Sequence, residues 1–111
     1  MSIKAMQEPT FLILTALAAG PQHGYGILTD IDDISGGTQR LRAGTLYAAL
    51  DRLSQQGWVE PDREVVVEGR LRRYYRLTPT GLDVLTRETT RLRANLSVAT
   101  TRLRARTEGL A

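Results

Sequence analysis

Ala43-Gly44-Thr45-Leu46-Tyr47-Ala48-Ala49-Leu50-Asp51-Arg52-Leu53-Ser54-Gln55-Gln56-Gly57-Trp58-Val59 is the stretch whose reading decides the fold. Leu46, Leu50 and Leu53 recur at helical spacing and make one apolar edge. The opposite edge, Thr45, Ala48, Arg52 and Gln55, is small or polar and carries hydrogen-bond donors. Gly57 stands where a helix ends in the left-handed region, and Trp58 can fold back onto Leu53, the apolar contact of a Schellman cap. Periodicity alone fits an ordinary amphipathic surface helix. A helix with so small an outer face, armed with Thr, Arg and Gln, also fits the major groove of DNA.

The residues that follow weigh between the two. Val65-Val66-Val67 is a β-branched run, Glu68-Gly69 marks a turn, and Arg70 to Leu77 alternates in strand fashion. Leu71, Tyr75 and Leu77 fall on one face, joined near the turn by Arg73; Arg70, Arg72, Tyr74 and Arg76 fall on the other. A hairpin with a basic rim thus follows a candidate recognition helix. Upstream, Pro9 suits the first turn of a helix, with Phe11, Ile13, Leu14, Leu17 and Ala18 as its buried stripe, and Gly20-Pro21 ends it. A second helix starts near Gly24-Tyr25, carries Ile27, Leu28, Ile31 and Ile34 at core spacing, and ends before Gly36-Gly37. Three helices and a hairpin, in that order, make a winged helix-turn-helix.

The pieces Phe11 to Ala19, His23-Gly24-Tyr25-Gly26, Gly44-Thr45-Leu46-Tyr47, Leu50, Arg52-Leu53, Gly57-Trp58-Val59, Gly69-Arg70, Arg73-Tyr74-Tyr75-Arg76-Leu77-Thr78 and Gly81 together resemble the PadR-like family of bacterial transcriptional regulators. No single piece is specific, but the ordered set is, and it spans Thr10 to Leu85. Arg42 and Ala43 depart from the capping Ser and Pro such proteins often carry, and Ala48 from the Pro that often follows the Tyr. The first turn of the third helix therefore lacks a side-chain cap. The resemblance implies a repressor that binds a palindromic operator as a homodimer and is released by a small hydrophobic or aromatic effector. For such a ligand only Trp58, Phe11 or a tyrosine could offer a stacking surface, because the last helix carries no aromatic residue.

Composition agrees with a small globular protein. At 111 residues and 41% hydrophobic content the chain suits one core, organised as a flexible lead-in over residues 1–8, a winged helix-turn-helix over 9–77 and a C-terminal dimerisation helix over 78–111. The expected class is mainly α with a β-hairpin. Net charge is only +3, yet fourteen of the fifteen basic residues are arginine, Lys4 being the exception. Arginine offers planar, bidentate donors to phosphates and guanine edges, although genomic base composition explains the bias as well. Without cysteine there are no disulfides, thiolate nucleophiles or thiol-bound zinc. No apolar run is long enough to span a bilayer, so no membrane association and a cytoplasmic location are expected.

Thr78-Pro79 opens the last helix as cap and first residue. Along it Leu85, Thr89, Leu92, Leu96, Ala99 and Leu103 recur at alternating steps of four and three, a heptad-like seam expected to form the dimer interface. Arg87, Arg91, Arg93, Arg102, Arg104 and Arg106 flank that seam or face solvent.

The expected DNA contacts divide by role. Arg40, Arg42, Arg70 and Arg72 are phosphate candidates, with Arg73 and Arg76 beside them; Tyr25 and Tyr47 either place hydroxyls on phosphates or support the core. Gly44 and Ala48 let the third helix sit close to the bases, and Thr45, Ala48, Arg52 and Gln55 are placed for base edges, Arg52 alternatively pairing within the protein. His23, the only histidine, is expected to cap the second helix. Asp30, Asp32 and Asp33 lack further ligands at metal spacing and fit a solvated helix end. No metal, cofactor or catalytic constellation is expected, so an enzyme is disfavoured. The leading partners are double-stranded DNA, a second copy of the chain and a small effector. The alternative is a winged-helix interaction module that no longer binds DNA, for which Asp51 is a mild sign.

Overall fold

The structure, a computed structural model, describes residues 5–109. Its elements are α1 (Glu8–Ala18), β1 (Gln22–His23), α2 (Gly24–Ile34), α3 (Ala43–Gln55), β2 (Val59–Val67), β3 (Arg70–Leu77) and α4 (Pro79–Thr107). Four helices and a three-stranded antiparallel sheet make the predicted winged helix-turn-helix with its long C-terminal helix. Of the lead-in expected over residues 1–8, residues 1–4 lie outside the described residues, as do 110 and 111. Met6 packs against the core, and Glu8 is already helical.

α1 departs from the expected stripe. Leu12, Ile13, Leu14, Ala16 and Leu17 are all buried, whereas Phe11 is half-buried and Ala18 exposed. A single stripe describes a helix packed on one side only. This one is packed by α2, α4 and β3. In α2, Ile27 and Ile31 are fully buried and Leu28 is partly covered, but Ile34 is exposed. It is the last helical residue, followed by left-handed Gly36 and Gly37, and the core does not reach that far.

α3 begins at Ala43 without a side-chain cap, since Arg42 contributes only its carbonyl to the Leu46 N–H. Leu46, Leu50 and Leu53 are fully buried, and Ala49 joins them. The predicted Schellman end forms. Trp58 N–H donates to Leu53 O and Gly57 N–H to Ser54 O, each at 3.0 Å, with Gly57 at φ +78°.

β2 begins at Val59, well before the expected valine run, and runs as an edge strand on which Pro61 is tolerated. Its register against β3 pairs Val59 with Leu77 and Val67 with Arg70, with an irregularity between Pro61 and Glu64. Glu68 and Gly69 both take positive φ, the two-residue turn whose twist matches a hairpin. Tyr75 is buried and Leu77 half-buried, but Leu71, two rows nearer the turn, is 58% exposed because the hairpin extends beyond the core. β1 adds a two-residue strand to the other side of β3, pairing His23 with Tyr74.

Thr78 joins the end of α3 to the start of α4. Its N–H donates to Trp58 O at 3.1 Å, and its hydroxyl donates to Gly57 O while accepting from Gly81 N–H at 3.0 Å. Gly81 passes so close to the Trp58 carbonyl that a Cβ would collide with it. α4 then runs 29 residues, roughly 44 Å at 1.5 Å per residue. Leu85 is buried in the core, a correction to its expected place in the dimer seam. From Leu92 to Gly109 every residue is exposed except half-buried Ala105.

Gly81→Ala should lower stability by about 1–3 kcal/mol, because the colliding atom is backbone and cannot rotate away. Gly44→Ala, in open space, should cause no loss. Denaturant midpoints at fixed protein concentration check both.

Candidate nucleic-acid interface

The first turns of α2 and α3 meet at a glycine. Gly24 is buried and lies so close beneath the Tyr47 hydroxyl that no side chain fits between them. Tyr47 lies across the start of α2 and is 46% exposed, and Tyr25, one residue beyond Gly24, is 76% exposed. Beside them Gly44, Thr45 and Ala48 are exposed on the outer face of α3. A narrow face of small residues flanked by two phenols is thus brought together from two helices.

His23 ties this corner to the wing. Its Nδ1 accepts from Gly26 N–H at 3.3 Å, the expected cap of α2, and the His23 backbone N–H donates to Gln22 Oε1 at 3.0 Å. Its ring meets Tyr74 edge-on, centroids 5.3 Å apart, and the Arg63 guanidinium lies 4.2 Å over the other partner's ring, that of Tyr74. Arg72 borders the same shallow concavity as His23, Tyr25 and Thr29. Sequence reading missed Gln22, Arg63 and Tyr74 in these roles. Only the β1–β3 pairing, two residues long, brings them together, and so short a strand leaves no periodic signal.

The arginines sort by what they already hold. Arg40 donates to Asp32 at 3.2 Å, Arg73 to Glu64 at 3.3 Å, and Arg76 to Glu60 at 2.8 Å and Asp62 at 3.1 Å. Of these carboxylates Asp62 is only 14% exposed, whereas the pairs with Asp32, Glu64 and Glu60 are solvent-exposed and can yield to a phosphate. Among the described residues, Arg42, Arg70 and Arg72 have no carboxylate within 4.0 Å. Arg42 lies at the start of α3, and Arg70 and Arg72 lie on the wing face opposite Leu71, as the alternation predicts.

Arg52 turns elsewhere. Expected either at base edges or in a pair within the protein, it donates from Nη2 to the hydroxyl of buried Thr10 on α1 at 3.0 Å. Its position on α3 looks toward the N-terminus of α1, and the outer face therefore rests on the first half of the helix. Among the described residues no three His, Asp or Glu side chains converge to hold a metal ion, and no helix is long and apolar enough to cross a membrane.

Burial, and then the nearby charge of Arg72, lower the pKa of His23 below its ordinary value. A cap that accepts through Nδ1 needs the neutral ring. Because the folded pKa lies below the unfolded one, this contribution is complete above about pH 6.5 and is lost as pH falls through the folded value. Unfolding midpoints should therefore drop from about pH 7.5 to about pH 5 more in the parent than in His23→Asn, which retains a capping acceptor that does not titrate. Equal pH profiles would show that His23 carries no such linkage.

Comparison with known proteins places these features. Residues 13–87 match the family model described as the transcriptional regulator PadR-like family. A 37.1 kDa protein of transposon TN4556 from Streptomyces fradiae is 47% identical over 81 residues, which cover 73% of this chain and 22% of that protein; the chain thus spans under a quarter of that relative's length. A PadR family transcription regulator from Clostridium difficile R20291 is similar in structure, with TM-score 0.69 and 26% identity over 85% of this chain and 96% of that one. Bacillus subtilis PadR in complex with operator DNA shares the fold, with TM-score 0.64 and 22% identity over 72% of this chain and 45% of that one. With two thirds of its length inside the family model, and with a fold similar to that of a solved PadR family regulator, this chain belongs to the transcriptional regulator PadR-like family.

Proposed function

We propose that this chain is a sequence-specific repressor that binds double-stranded DNA as a homodimer at an approximately palindromic operator. The observation that carries the proposal is the exposed first half of α3. There Gly44, Thr45 and Ala48 leave room for bases, Tyr25 and Tyr47 stand at the sides, and Arg42, Arg70 and Arg72 have no carboxylate partner among the described residues. Small residues admit the helix to the major groove, and the surrounding cations bind phosphate and set its register. Arg40 and Arg73 are available to the same backbone once their exposed ion pairs open. Residues 9–77 form the DNA-binding unit in this proposal and residues 78–111 the dimerisation helix. A small hydrophobic effector that releases the DNA, together with a cytoplasmic location, completes it.

The dimer follows from α4. Leu92, Leu96, Ala99 and Leu103, with Thr89 at the near end, continue the line of Leu85 into the part of the helix that leaves the domain. Leu96 and Leu103 are 65% and 64% exposed, and the other helices, of 11 to 13 residues, are too short to cover them. An unpartnered leucine stripe on a protruding helix fits a second copy of itself, and two-fold symmetry then presents two α3 helices to two half-sites. Centres of those half-sites should lie about 34 Å apart, or a multiple of that. Exposed Asp51, on the outer side of α3, favours the second reading of a winged-helix interaction module without DNA binding.

Replacing Leu92 and Leu96 together with Asp should yield a folded monomer or an unfolded chain, measured by sedimentation. A well-folded monomer of the parent protein at micromolar concentration would overturn the dimer.

Ala48→Glu places an anion against phosphates and groove acceptors, and should cost several kcal/mol of specific binding, on the order of the specific-over-nonspecific margin. Circular dichroism and dimerisation should stay unchanged because residue 48 is exposed. Arg70→Ala with Arg72→Ala should instead weaken binding to all sequences alike and reduce the salt slope by about one to two. Operator binding by Ala48→Glu as tight as the parent's would remove α3 as the reader and favour the interaction module.

A further inference from the structure

β2 does not pair evenly with β3. Pro61 lies opposite Tyr75 and Glu64 opposite Arg73, so Asp62 and Arg63 together face the single residue Tyr74. Two residues against one make a β-bulge, which bends a strand and re-aims a side chain. On its other side Tyr74 pairs with His23 of β1. Tyr74 therefore stands where the bulge, the central strand and the start of α2 meet.

The side chains there form a continuous series of contacts. Half-buried Asp62 accepts from Arg63 Nη1 at 2.8 Å and from Arg76 Nη1 at 3.1 Å. The Arg63 guanidinium lies 4.2 Å over the Tyr74 ring, within cation–π range. Tyr74 meets the His23 ring edge-on at 5.3 Å, and His23 Nδ1 caps α2 through the Gly26 N–H. Three side chains thus tie the bulge to the first turn of α2. Backbone pairing adds little to that tie, because β1 is only two residues long. Beyond Tyr74 the hairpin overhangs the core, with the cross-strand pair Val66 and Leu71 exposed at 68% and 58%.

Arg70 and Arg72 lie on this overhang, both exposed, between Tyr74 and the turn. We infer that Arg63 and Tyr74 are positioning residues, a brace that fixes the angle of the wing to the α2 corner and holds Arg70 and Arg72 in place for phosphate. Neither residue has to touch DNA. A wing already ordered loses less freedom on binding, and that saving appears as affinity. The inference rests on the proposed function for what the wing meets; the brace itself is a property of the free protein.

The free protein supplies the first test. His23 is the only histidine, so its ring protons give resolved NMR signals. They are read at about pH 8, where the ring is neutral. Tyr74→Leu should move them by removing the neighbouring ring. Arg63→Gln, an exposed change, should move them the same way, because Tyr74 is no longer held against His23. His23 signals left at their parent positions by Arg63→Gln would overturn the brace, even if Tyr74→Leu fails to fold. The second test is binding to a random-sequence DNA duplex. Tyr74→Leu removes no charge, yet should weaken binding about two- to fivefold, the worth of one such aromatic contact. Tyr74→Phe, which keeps the ring, should bind as the parent does. With Arg70→Ala and Arg72→Ala already present, Tyr74→Leu should cause no further loss, since the brace has nothing left to position. A folded Tyr74→Leu that binds as the parent does, or a loss that persists in full without Arg70 and Arg72, would overturn the positioning role. A parent protein that binds no duplex would overturn the proposed function instead, and the His23 signals would still decide the brace.

Discussion

The clasp between the end of α3 and the start of α4 is the constraint on which the rest of the structure depends. Gly57 turns the chain through the left-handed region, and that turn presents the Trp58 carbonyl to Thr78 N–H. The Thr78 hydroxyl then bonds in both directions, to Gly57 O behind it and from Gly81 N–H ahead. One side chain thereby closes the hairpin at its base and caps the helix that follows. Because β2 and β3 lie between the two halves of the clasp, the wing projects from a fixed base, and α4 leaves the domain in a fixed direction. Gly81 makes the approach possible, since any side chain there would strike the carbonyl that anchors the turn.

A second clasp acts at the other end of α3, against α2. Gly24 lets Tyr47 lie across the start of α2, and His23 joins that corner to β3 through Tyr74. Between the two clasps α3 is held by Leu46, Leu50 and Leu53 along its inner side, so its outer face is presented rigidly. The arginines around that face fall into two kinds. Arg73 and Arg76 bond to carboxylates of β2 across the wing and Arg40 bonds to Asp32 of α2, whereas Arg42, Arg70 and Arg72 have no carboxylate within 4.0 Å among the described residues. A phosphate approaching a paired cation must first displace its carboxylate, a step that Arg42, Arg70 and Arg72 do not require.

α4 changes character along its length. Up to Glu88 it belongs to the domain, with Leu85 in the core and Glu88 buried beside it. The Glu88–Arg91 pair marks the transition. A carboxylate withdrawn from water without that bidentate partner would be strongly destabilising. Beyond it the same leucine spacing continues, but among the described residues the stripe is exposed, from 38% at Leu92 to 65% at Leu96.

Much of this was legible in the residues because it is local. The Gly57-Trp58 stop, the Thr78-Pro79 start, the two-residue Glu68-Gly69 turn and the Leu46, Leu50, Leu53 edge all depend on contacts within a few residues, and each formed where the spacing placed it. Spacing says which side chains share a face; it does not say how far the surface opposite that face extends. Leu71 shares a face with buried Tyr75 yet lies exposed on the overhanging wing, and Ile34 keeps core spacing past the end of the core. Leu85 and Leu92 belong to one heptad pattern, but only the first is covered by the domain. Arg52 lies on the polar side of α3 as its spacing requires, yet its partner is Thr10, 42 residues away in sequence. The sequence by itself determined the helices, their ends and the pattern of each face, because backbone geometry sets these over a few residues. Which stretch of each face is buried, and which cation meets which oxygen, only the tertiary structure decided, because burial and pairing belong to two surfaces and the chain writes each surface separately.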